Sequence, residues 1–303
     1  LSLFTMGDES VRTILITGAT AGIGEEMAKS LVRGKNNVYV TGRNEDKLRR
    51  TIDELTKLKS RPEQNIGSFC FDMGDLNGVK LAMGEICKIN FDTVIFNAGT
   101  MFPPRPEVDP NDPLKNYEET IKVNVLSHFL MSQYLLDSSD GSPIRFVCIS
   151  SNTARVIWKT HRHWPSTIDG FEYFFNRNRW FSDGWWSYFH SKFAVIIMAE
   201  HLNSLPNVSA VAIHPGIAST AMFLSIPAVQ VAILRFLKRF SRNDNIEQTD
   251  ICAERVINET INRNEDFSNK WFCDDWIDLP TNLSEDQKRF FIKFLEKSTQ
   301  PFR

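Results

Sequence analysis

The sequence lacks the cysteine pattern of a disulfide-stapled or metal-binding protein. Its five cysteines are odd in number and show no paired ligand spacing; they are Cys70, Cys87, Cys148, Cys252 and Cys273. We therefore expect reduced thiols of an intracellular protein. His161 and His163 lie two positions apart on a predicted loop, which is too little to predict a metal site.

Long apolar runs are also missing. No stretch reaches the roughly 18 to 20 apolar residues that a membrane-spanning helix needs. The nearest approach, 226–240, is interrupted by Gln230, Arg235, Lys238 and Arg239. Residues 1–10 show neither a basic region nor an apolar run, so we expect a flexible segment rather than a signal peptide. These absences favour a cytoplasmic protein.

An excess of charge of either sign is absent as well. The formal net charge is −2, which predicts no nucleic-acid partner and no general attraction to an anionic membrane. Hydrophobic residues make up 42% of the chain and charged residues 24%, a balance typical of a globular protein with a substantial core.

What is present is a regular alternation of short apolar runs with longer amphipathic stretches. This pattern predicts an α/β fold: a Rossmann-type, doubly wound parallel sheet with helices on both faces. We predict about seven strands, at 13–17, 37–41, 66–71, 92–96, 145–149, 208–213 and 271–273, and a long helix at 117–136. A single domain then covers 11–280, with insertions at 152–184 and 221–245 and a helical extension at 281–303.

A glycine-rich turn follows the first strand and opens the first helix. Gly18 permits a tight turn, Gly22 removes a Cβ where a pyrophosphate would approach, and Gly24 allows close packing of helix and strand. The helix N-terminus adds unpaired N–H groups and the positive end of the helix dipole. The predicted dinucleotide cradle consists of Thr17, Gly18, Thr20, Ala21, Gly22, Ile23 and Gly24.

The TGxxxGIG spacing resembles that of the short-chain dehydrogenase/reductase family, over about residues 12 to 278. The resemblance implies that Asp72, beside Met73, lies at the adenine, and that the NAG motif lines the cofactor. It also implies cofactor contacts after the sixth strand. The motif residues are Asn97, Ala98 and Gly99, and the later contacts are Pro215, Gly216, Ile217 and Thr220. Taken by itself, Asp72 fits a turn or helix N-cap equally well.

The end of the second strand bears on the choice of cofactor. Enzymes that prefer NAD usually place a carboxylate there for the ribose 2′-OH. This chain has Arg43 at that point and no carboxylate before Glu45. Because a guanidinium pairs well with a 2′-phosphate, we favour NADP(H), with NAD(H) as the alternative. The alternative interpretation is that Arg43 only caps a charged surface helix.

Tyr188 and Lys192 have the YxxxK spacing, which places both side chains on one helix face. An ammonium beside a phenol, together with the positive nicotinamide ring of an oxidised cofactor, is expected to lower the pKa of the phenol and make it a usable acid and base. The family resemblance adds Ser151, which would polarise the substrate carbonyl, with Ser150 as the alternative. It also adds Asn124, which would hold a water on the proton relay. Tyr188 would be the general acid in reduction and the base in oxidation.

The resemblance is strongest to the retinol-dehydrogenase-like and WW-domain-oxidoreductase-like branch, which carries a longer insert between the serine and the tyrosine. The insert is crowded with aromatic residues. Either they fold over the nicotinamide as an apolar pocket for a retinoid, steroid or aliphatic aldehyde, or they pack as a satellite core. These residues are Trp158, Trp164, Phe171, Tyr173, Phe174, Phe175, Trp180, Phe181, Trp185 and Trp186.

Segment 221–240 has apolar residues near helical spacing and basic residues at its end. We favour a substrate lid or packing helix; a subunit contact or peripheral membrane contact is the alternative. The membrane alternative would place the protein on the endoplasmic reticulum or a lipid droplet. Family members often form homodimers or homotetramers, which the resemblance makes an expectation here.

Together these features predict an NADP(H)-dependent oxidoreductase that interconverts a carbonyl and an alcohol on a hydrophobic substrate. An NAD-linked hydroxysteroid or alcohol dehydrogenase is the second hypothesis. The third is a non-enzymatic dinucleotide-binding redox sensor or scaffold, which would have no need of Asn124, Ser151, Tyr188 and Lys192.

Overall fold

The β-branched and apolar runs form one sheet and a separate two-stranded pair. A computed structural model of the chain describes residues 11–101, 117–155, 157, 164–175, 184–218, 246–262, 270–273, 275–278 and 283–303. The strands are β1 (Thr13–Ile16), β2 (Asn37–Gly42), β3 (Ile66–Cys70), β4 (Thr93–Phe96), β5 (Ile144–Ile149), β6 (Val208–Ile213), β7 (Ile217–Ala218), β8 (Ile246–Glu247), β9 (Lys270–Cys273) and β10 (Asp275–Asp278).

The main sheet has the order β10-β9-β6-β5-β4-β1-β2-β3. All neighbouring strands from β9 to β3 pair in parallel, and β10 adds one antiparallel edge strand. The predicted Rossmann-type sheet of seven parallel strands is confirmed. Because β1 pairs with both β2 and β4, the chain reverses its direction of travel across the sheet there. A crevice opens at such a switch point, outside the carboxyl ends of the strands.

The helices alternate with these strands. They are α1 (Gly22–Arg33), α2 (Glu45–Lys57), α3 (Leu76–Ile86), α4 (Glu119–Ile121), α5 (Ser127–Ser138), α6 (Ile168–Phe174), α7 (Gly184–Asn203), α8 (Thr249–Val256) and α9 (Glu285–Thr299). The helix predicted at 117–136 is instead α4, a π-helical turn at Lys122–Leu126, and α5. No helix among the described residues is long and apolar enough to cross a membrane.

Two layers of apolar side chains cover the sheet, and alternate residues of each strand enter different layers. On β1, Leu15 joins a layer with α3, α5, α7 and α9, whereas Ile14 and Ile16 join a layer with α1 and α8. This is the two-residue period of a β-strand, since successive side chains point to opposite faces. With helices on both faces, the strands are buried on both sides, which explains their continuous apolar sequences.

Helix α9 completes one of these layers through an aromatic cluster. Phe291 of α9 lies with its ring centroid 5.3 Å from that of Phe171 and 5.5 Å from that of Trp164. Tyr117 donates or accepts a hydrogen bond with Ser298 at 3.0 Å, and Lys288 forms an ion pair with Glu200 at 2.6 Å. A capping box of Ser284 and Gln287 fixes where the helix starts.

The cluster decides between the two interpretations of the aromatic insert for the residues that the structure describes. Trp164, Phe171, Phe174 and Phe175 are buried in the core against α9, so they form a satellite core rather than an open pocket. Tyr173 and Trp186 are exposed. The other insert aromatics (Trp158, Trp180, Phe181 and the side chain of Trp185) lie outside the described residues, as does segment 221–240.

We expect Phe291→Ala to lower the free energy of unfolding by about 3–5 kcal/mol, because it removes a fully buried ring and leaves a cavity. Leu81→Ala is the matched control: Leu81 is 79% exposed, so its truncation should change stability by less than about 0.5 kcal/mol. Denaturant titration of both variants measures this. Equal midpoints for Phe291→Ala and the wild type would show that α9 is not part of the core.

Candidate functional site

The glycine turn after β1 is shaped for a close backbone approach. Gly18 has φ +66° and Gly22 has φ +64°, a region that favours glycine. A Cβ on Gly18 would lie 2.8 Å from Cα of Ala98. A Cβ on Gly24 would lie 2.5 Å from Nδ2 of Asn97. Any larger residue would push the turn away from the loop after β4. Glycine at these positions therefore allows the two loops to pack closely.

The N-terminus of α1 faces the same crevice without a side-chain cap. Its N-cap residue, the exposed Ala21, is in an extended conformation and offers no side-chain acceptor. By contrast, Asn44 and Asp75 cap α2 and α3 through their side chains. The first amides of α1 are therefore available to an anionic ligand such as a pyrophosphate. This cradle fits the dinucleotide that the sequence predicts.

Thr17 and Asn97 tie the turn to the end of β4. Asn97 donates from Nδ2 to the carbonyls of Thr17, at 2.9 Å, and Gly18, at 3.0 Å. The Thr17 hydroxyl oxygen accepts from the backbone amides of Asn97 and Ala98, both at 2.9 Å. Both side chains thus hold backbone and shape the cradle, and their predicted contact with a cofactor stays a prediction.

Arg43 is exposed immediately after β2, and it borders the cradle through its neighbour Gly42. A Cβ on Gly42 would lie 2.6 Å from Cγ2 of Thr20. The helix that follows is capped by Asn44, which accepts from the amide of Lys47 at 2.9 Å, and not by Arg43. The alternative interpretation of Arg43 as a helix cap therefore finds no support.

Asp72 and Met73 follow β3 at the same edge of the sheet. Asp72 is exposed, and its Oδ1 accepts from the amide of Gly74 at 2.8 Å, which is the turn role that the residue type suggests by itself. The side chain of Met73 is buried in the core. Any cofactor contact from Met73 would therefore come from its backbone.

Tyr188, Ser151 and Lys192 come together where β5 meets α7. Ser151 forms a side-chain hydrogen bond with Tyr188. Lys192 lies one helical turn further on, with Nζ 5.6 Å from the centroid of the Tyr188 ring, and donates to the carbonyl of Ile149 at 2.9 Å. Ser150 points elsewhere: its hydroxyl donates to the backbone carbonyl of Lys192 at 2.8 Å. The geometry favours Ser151 over Ser150 as the partner of the phenol.

The chain by itself does not lower the pKa of Tyr188, and the joint effect expected from the ammonium and the positive ring of an oxidised cofactor stays a prediction. Burial raises the pKa of Tyr188 to about 12, and the hydrogen bond from Ser151 lowers it only in part. Burial also lowers the pKa of Lys192 to about 8. Nζ of Lys192 lies 5.6 Å from the ring centroid, and desolvation is the dominant influence on the phenol. In the chain by itself, Tyr188 is protonated at neutral pH.

Asn124 lies in the π-helical turn, a feature that is frequent at functional sites. Its Oδ1 accepts from the amide of Thr100 at 2.8 Å, and its Nδ2 donates to Oγ of Ser191 at 2.9 Å. A Cβ on Gly99 would lie 3.4 Å from both Oδ1 of Asn124 and Nζ of Lys192. The NAG loop, the π-turn and α7 therefore converge at Lys192.

An ion pair that the sequence analysis missed holds the loop after β6. Arg255 contacts both carboxylate oxygens of Glu247, at 2.6 and 2.7 Å, and also donates to the carbonyl of Pro215 at 2.6 Å. Gly216 has φ +109°, and a Cβ there would lie 2.2 Å from Nη1 of Arg255. We call Glu247, Arg255 and Pro215 the β8 clamp.

The β8 clamp includes Glu247 of β8, and it adjoins the small parallel pair β7–β8, in which Ile217 pairs with Ile246. The pairing of Glu247 with Arg255 has no signal in the sequence, because an eight-residue separation fits neither a helix nor a hairpin. His214 is buried and donates from its amide to the carbonyl of Phe272 at 2.8 Å. Thr220 lies outside the described residues.

Comparison with known proteins agrees with this geometry. A family model for the short chain dehydrogenases matches residues 12–168. The chain belongs to this family. Polyprenol dehydrogenase from Homo sapiens is 26% identical over 70% of this chain and 62% of its own length. Retinol dehydrogenase 11 from Homo sapiens is 28% identical over 68% of this chain and 60% of its own length.

These matches span less than two thirds of either relative. They nevertheless confirm the predicted similarity to the retinol-dehydrogenase-like branch, which also includes the matching retinol dehydrogenase 13. A short chain dehydrogenase from Burkholderia cenocepacia, solved in complex with NADP, has the same fold. Its TM-score is 0.56 at 19% identity, over 81% of this chain and 89% of that chain.

The buried ammonium of Lys192 predicts a pH-dependent stability. The pKa of Lys192 falls from 10.5 in the unfolded chain to about 8 in the fold. At pH 7 both states are protonated, and the fold carries the cost of burying the charge. We therefore expect Lys192→Met to raise the free energy of unfolding at pH 7 by about 1–3 kcal/mol, less what the lost hydrogen bond to Ile149 offsets.

Between about pH 8 and 10.5 the unfolded chain binds more protons than the fold, so the stability of the wild type rises with pH. The difference between Lys192→Met and the wild type should shrink across this window. Lys293→Met, at an exposed position of α9, is the control and should show no such change. Chemical unfolding at pH 7, 8, 9 and 10 measures the effect. A difference that stays constant with pH would contradict it.

Proposed function

We propose that this chain is an NADP(H)-dependent oxidoreductase that interconverts a carbonyl and an alcohol on a hydrophobic substrate. The observation that carries the proposal is the hydrogen bond between Ser151 and Tyr188, with the Lys192 ammonium one helical turn away. This group lies at the carboxyl end of β5, and β4 with its NAG loop separates it from β1 and the glycine turn. A hydroxyl, a phenol and an ammonium placed together beside a dinucleotide cradle are suited to proton transfer at a carbonyl oxygen.

A nicotinamide dinucleotide, when bound, supplies or accepts the hydride. The protein handles the proton. In the reducing direction the protonated Tyr188 donates its phenolic proton to the substrate oxygen, and Ser151 donates a hydrogen bond that polarises the same carbonyl. The raised pKa of Tyr188, about 12, keeps the phenol in the form that donates a proton at neutral pH. In the oxidising direction the roles reverse, with the phenolate as the base.

The residues that would hold the cofactor surround this group. The first amides of α1 and the turn from Gly18 to Gly24 would take the pyrophosphate. The NAG loop and Lys192 would take the nicotinamide ribose. Arg43, exposed beside Thr20, would pair with a 2′-phosphate and so select NADP(H). Structural neighbours with the same fold were solved with NADP or NADPH, which supports a nicotinamide dinucleotide.

A hydrophobic substrate is proposed from the relatives rather than from the aromatic insert. The matching proteins are named for polyprenol and retinol, both long apolar alcohols. Trp164, Phe171, Phe174 and Phe175 of the insert are buried in the core, so they give no support for an aromatic substrate pocket. Retinoids, steroids and aliphatic aldehydes therefore form the first panel for an NADPH-oxidation screen.

Tyr188→Phe keeps the ring and deletes the proton, so we expect turnover to fall by at least about 100-fold. The measurement is NADPH oxidation with the best carbonyl substrate from the panel, together with NADPH binding by fluorescence. Binding should change little, because the ring remains. Tyr173→Phe, at an exposed position of α6, is the control and should keep full activity.

Near-wild-type turnover in Tyr188→Phe would overturn the assigned role of the phenol. A wild-type chain that binds NADPH but turns over no carbonyl in the panel would support the redox-sensor or scaffold hypothesis instead.

Arg43→Ala tests the choice of cofactor. Loss of a charge-assisted contact should lower kcat/KM for NADPH by about 10- to 100-fold and leave kcat/KM for NADH within about twofold. Arg49→Ala is the matched control, since Arg49 is exposed on α2 and faces Glu45 and Asp46 at 3.6 Å. An unchanged NADPH-to-NADH ratio in Arg43→Ala would favour the NAD-linked hypothesis.

A further inference from the structure

His128 lies beneath the candidate site and has no part in the proton transfer proposed above. It is buried on α5, one helical turn after Asn124, and its ring packs on Phe96 with centroids 4.7 Å apart. A buried imidazole needs partners for both ring nitrogens, since an unpaired polar atom in the core is costly. The partners that His128 has connect the two halves of the site.

The hydrogen bonds of His128 determine which ring nitrogen carries the proton. Nδ1 lies 3.1 Å from the backbone carbonyl of Asn124, and Nε2 lies 3.0 Å from the hydroxyl of Thr17. A carbonyl can only accept, so Nδ1 must be the protonated nitrogen. Nε2 is then an acceptor, and the Thr17 hydroxyl must donate to it.

The Thr17 side supports the same assignment. Its hydroxyl oxygen already accepts two bonds, from the amides of Asn97 and Ala98, so its single hydrogen is left to be donated. The carbonyl of Ile95 lies 3.4 Å from that oxygen, farther than Nε2 of His128. The imidazole is therefore the nearer acceptor, and a protonated Nε2 would face a hydroxyl with no free lone pair.

At the Asn124 end, side chains bind to backbone carbonyls of the π-turn. In the π-turn the amide of Ser127 donates to the carbonyl of Lys122, five residues back. The Ser127 hydroxyl donates to the carbonyl of Val123 at 2.8 Å, and His128 donates to that of Asn124. Two consecutive side chains thus bind consecutive carbonyls of the turn. The side chain of Asn124 in turn reaches Ser191, the neighbour of Lys192.

We propose that His128 is a positioning residue: as the neutral Nδ1-protonated tautomer it bridges Thr17, which holds the NAG loop, to the π-turn of Asn124, which supports α7 at Lys192. The bridge fixes the dinucleotide cradle relative to the proton-transfer group, and this consequence rests on the proposed function. Burial lowers the pKa of His128 to about 3, and the Lys192 ammonium acts in the same direction. The ring therefore stays neutral throughout the working range.

The first test needs no cofactor and no measurement of turnover. In a uniformly 15N-labelled chain, long-range 1H–15N spectra distinguish the two neutral tautomers and the imidazolium. The His128 signals are assigned by their loss in His128→Phe or, if that variant does not fold, in His128→Asn. We expect a protonated Nδ1 and an unprotonated Nε2, unchanged between pH 7.5 and 5.5. An Nε2-protonated ring, or one that titrates near 6.5, would overturn the proposal.

The second test is a double-mutant cycle on turnover with NADPH. His128→Phe and Thr17→Val should each lower kcat, and the double variant should be no more than about twofold worse than the poorer single variant. His128→Asn, whose amide can still donate to the Asn124 carbonyl, should recover at least about threefold in kcat over His128→Phe. Multiplicative losses, with no recovery in His128→Asn, would mean that the residues act separately and would refute the bridge.

The two proposals fail in different ways. If Tyr188→Phe keeps its activity while the tautomer is as expected, the assigned chemistry is wrong and the bridge stands as structure. If Tyr188→Phe is inactive and the cycle is multiplicative, the chemistry stands and His128 is not a positioning residue.

Discussion

A positive charge buried at the carboxyl ends of the central strands is the constraint around which the site is organised. Among the described residues no carboxylate pairs with Lys192; its ammonium rests on the carbonyl of Ile149 and against the Tyr188 ring. Burying a charge without a counter-ion is unfavourable, and residues that carry this cost are concentrated at functional sites. Neighbouring residues accommodate this lysine. Gly99 leaves room for Nζ, and the Ser150 hydroxyl holds the backbone of α7 at Lys192.

The fold was largely predictable because its signals are local. The strands alternate with amphipathic helices, and the glycine turn sits at a strand-to-helix junction where only glycine allows the backbone of Gly18 to approach Ala98. The residues proposed to handle the proton came from the family resemblance instead. Spacing alone places Tyr188 and Lys192 on one helix face, but it says nothing about Ser151, which follows strand β5.

The parts that escaped prediction depend on tertiary surroundings. The direction of the Tyr188 pKa follows from desolvation, which the sequence does not show. The aromatic residues of the insert pack on α9, whose position in space no periodicity reveals. The π-turn at Asn124 has the same apolar pattern as a regular helix, so neither the turn nor the role of His128 was visible. In each case the residue type was a useful guide, but the residues that it contacts in the fold could not be predicted from the sequence.

The β8 clamp has a consequence for how such a chain can diversify. The ion pair of Glu247 and Arg255 and the β7–β8 pair hold the described residues on either side of 219–245 next to each other. Changes in the length or sequence of the chain between β7 and β8 can therefore leave the loop after β6 and the strand register in place.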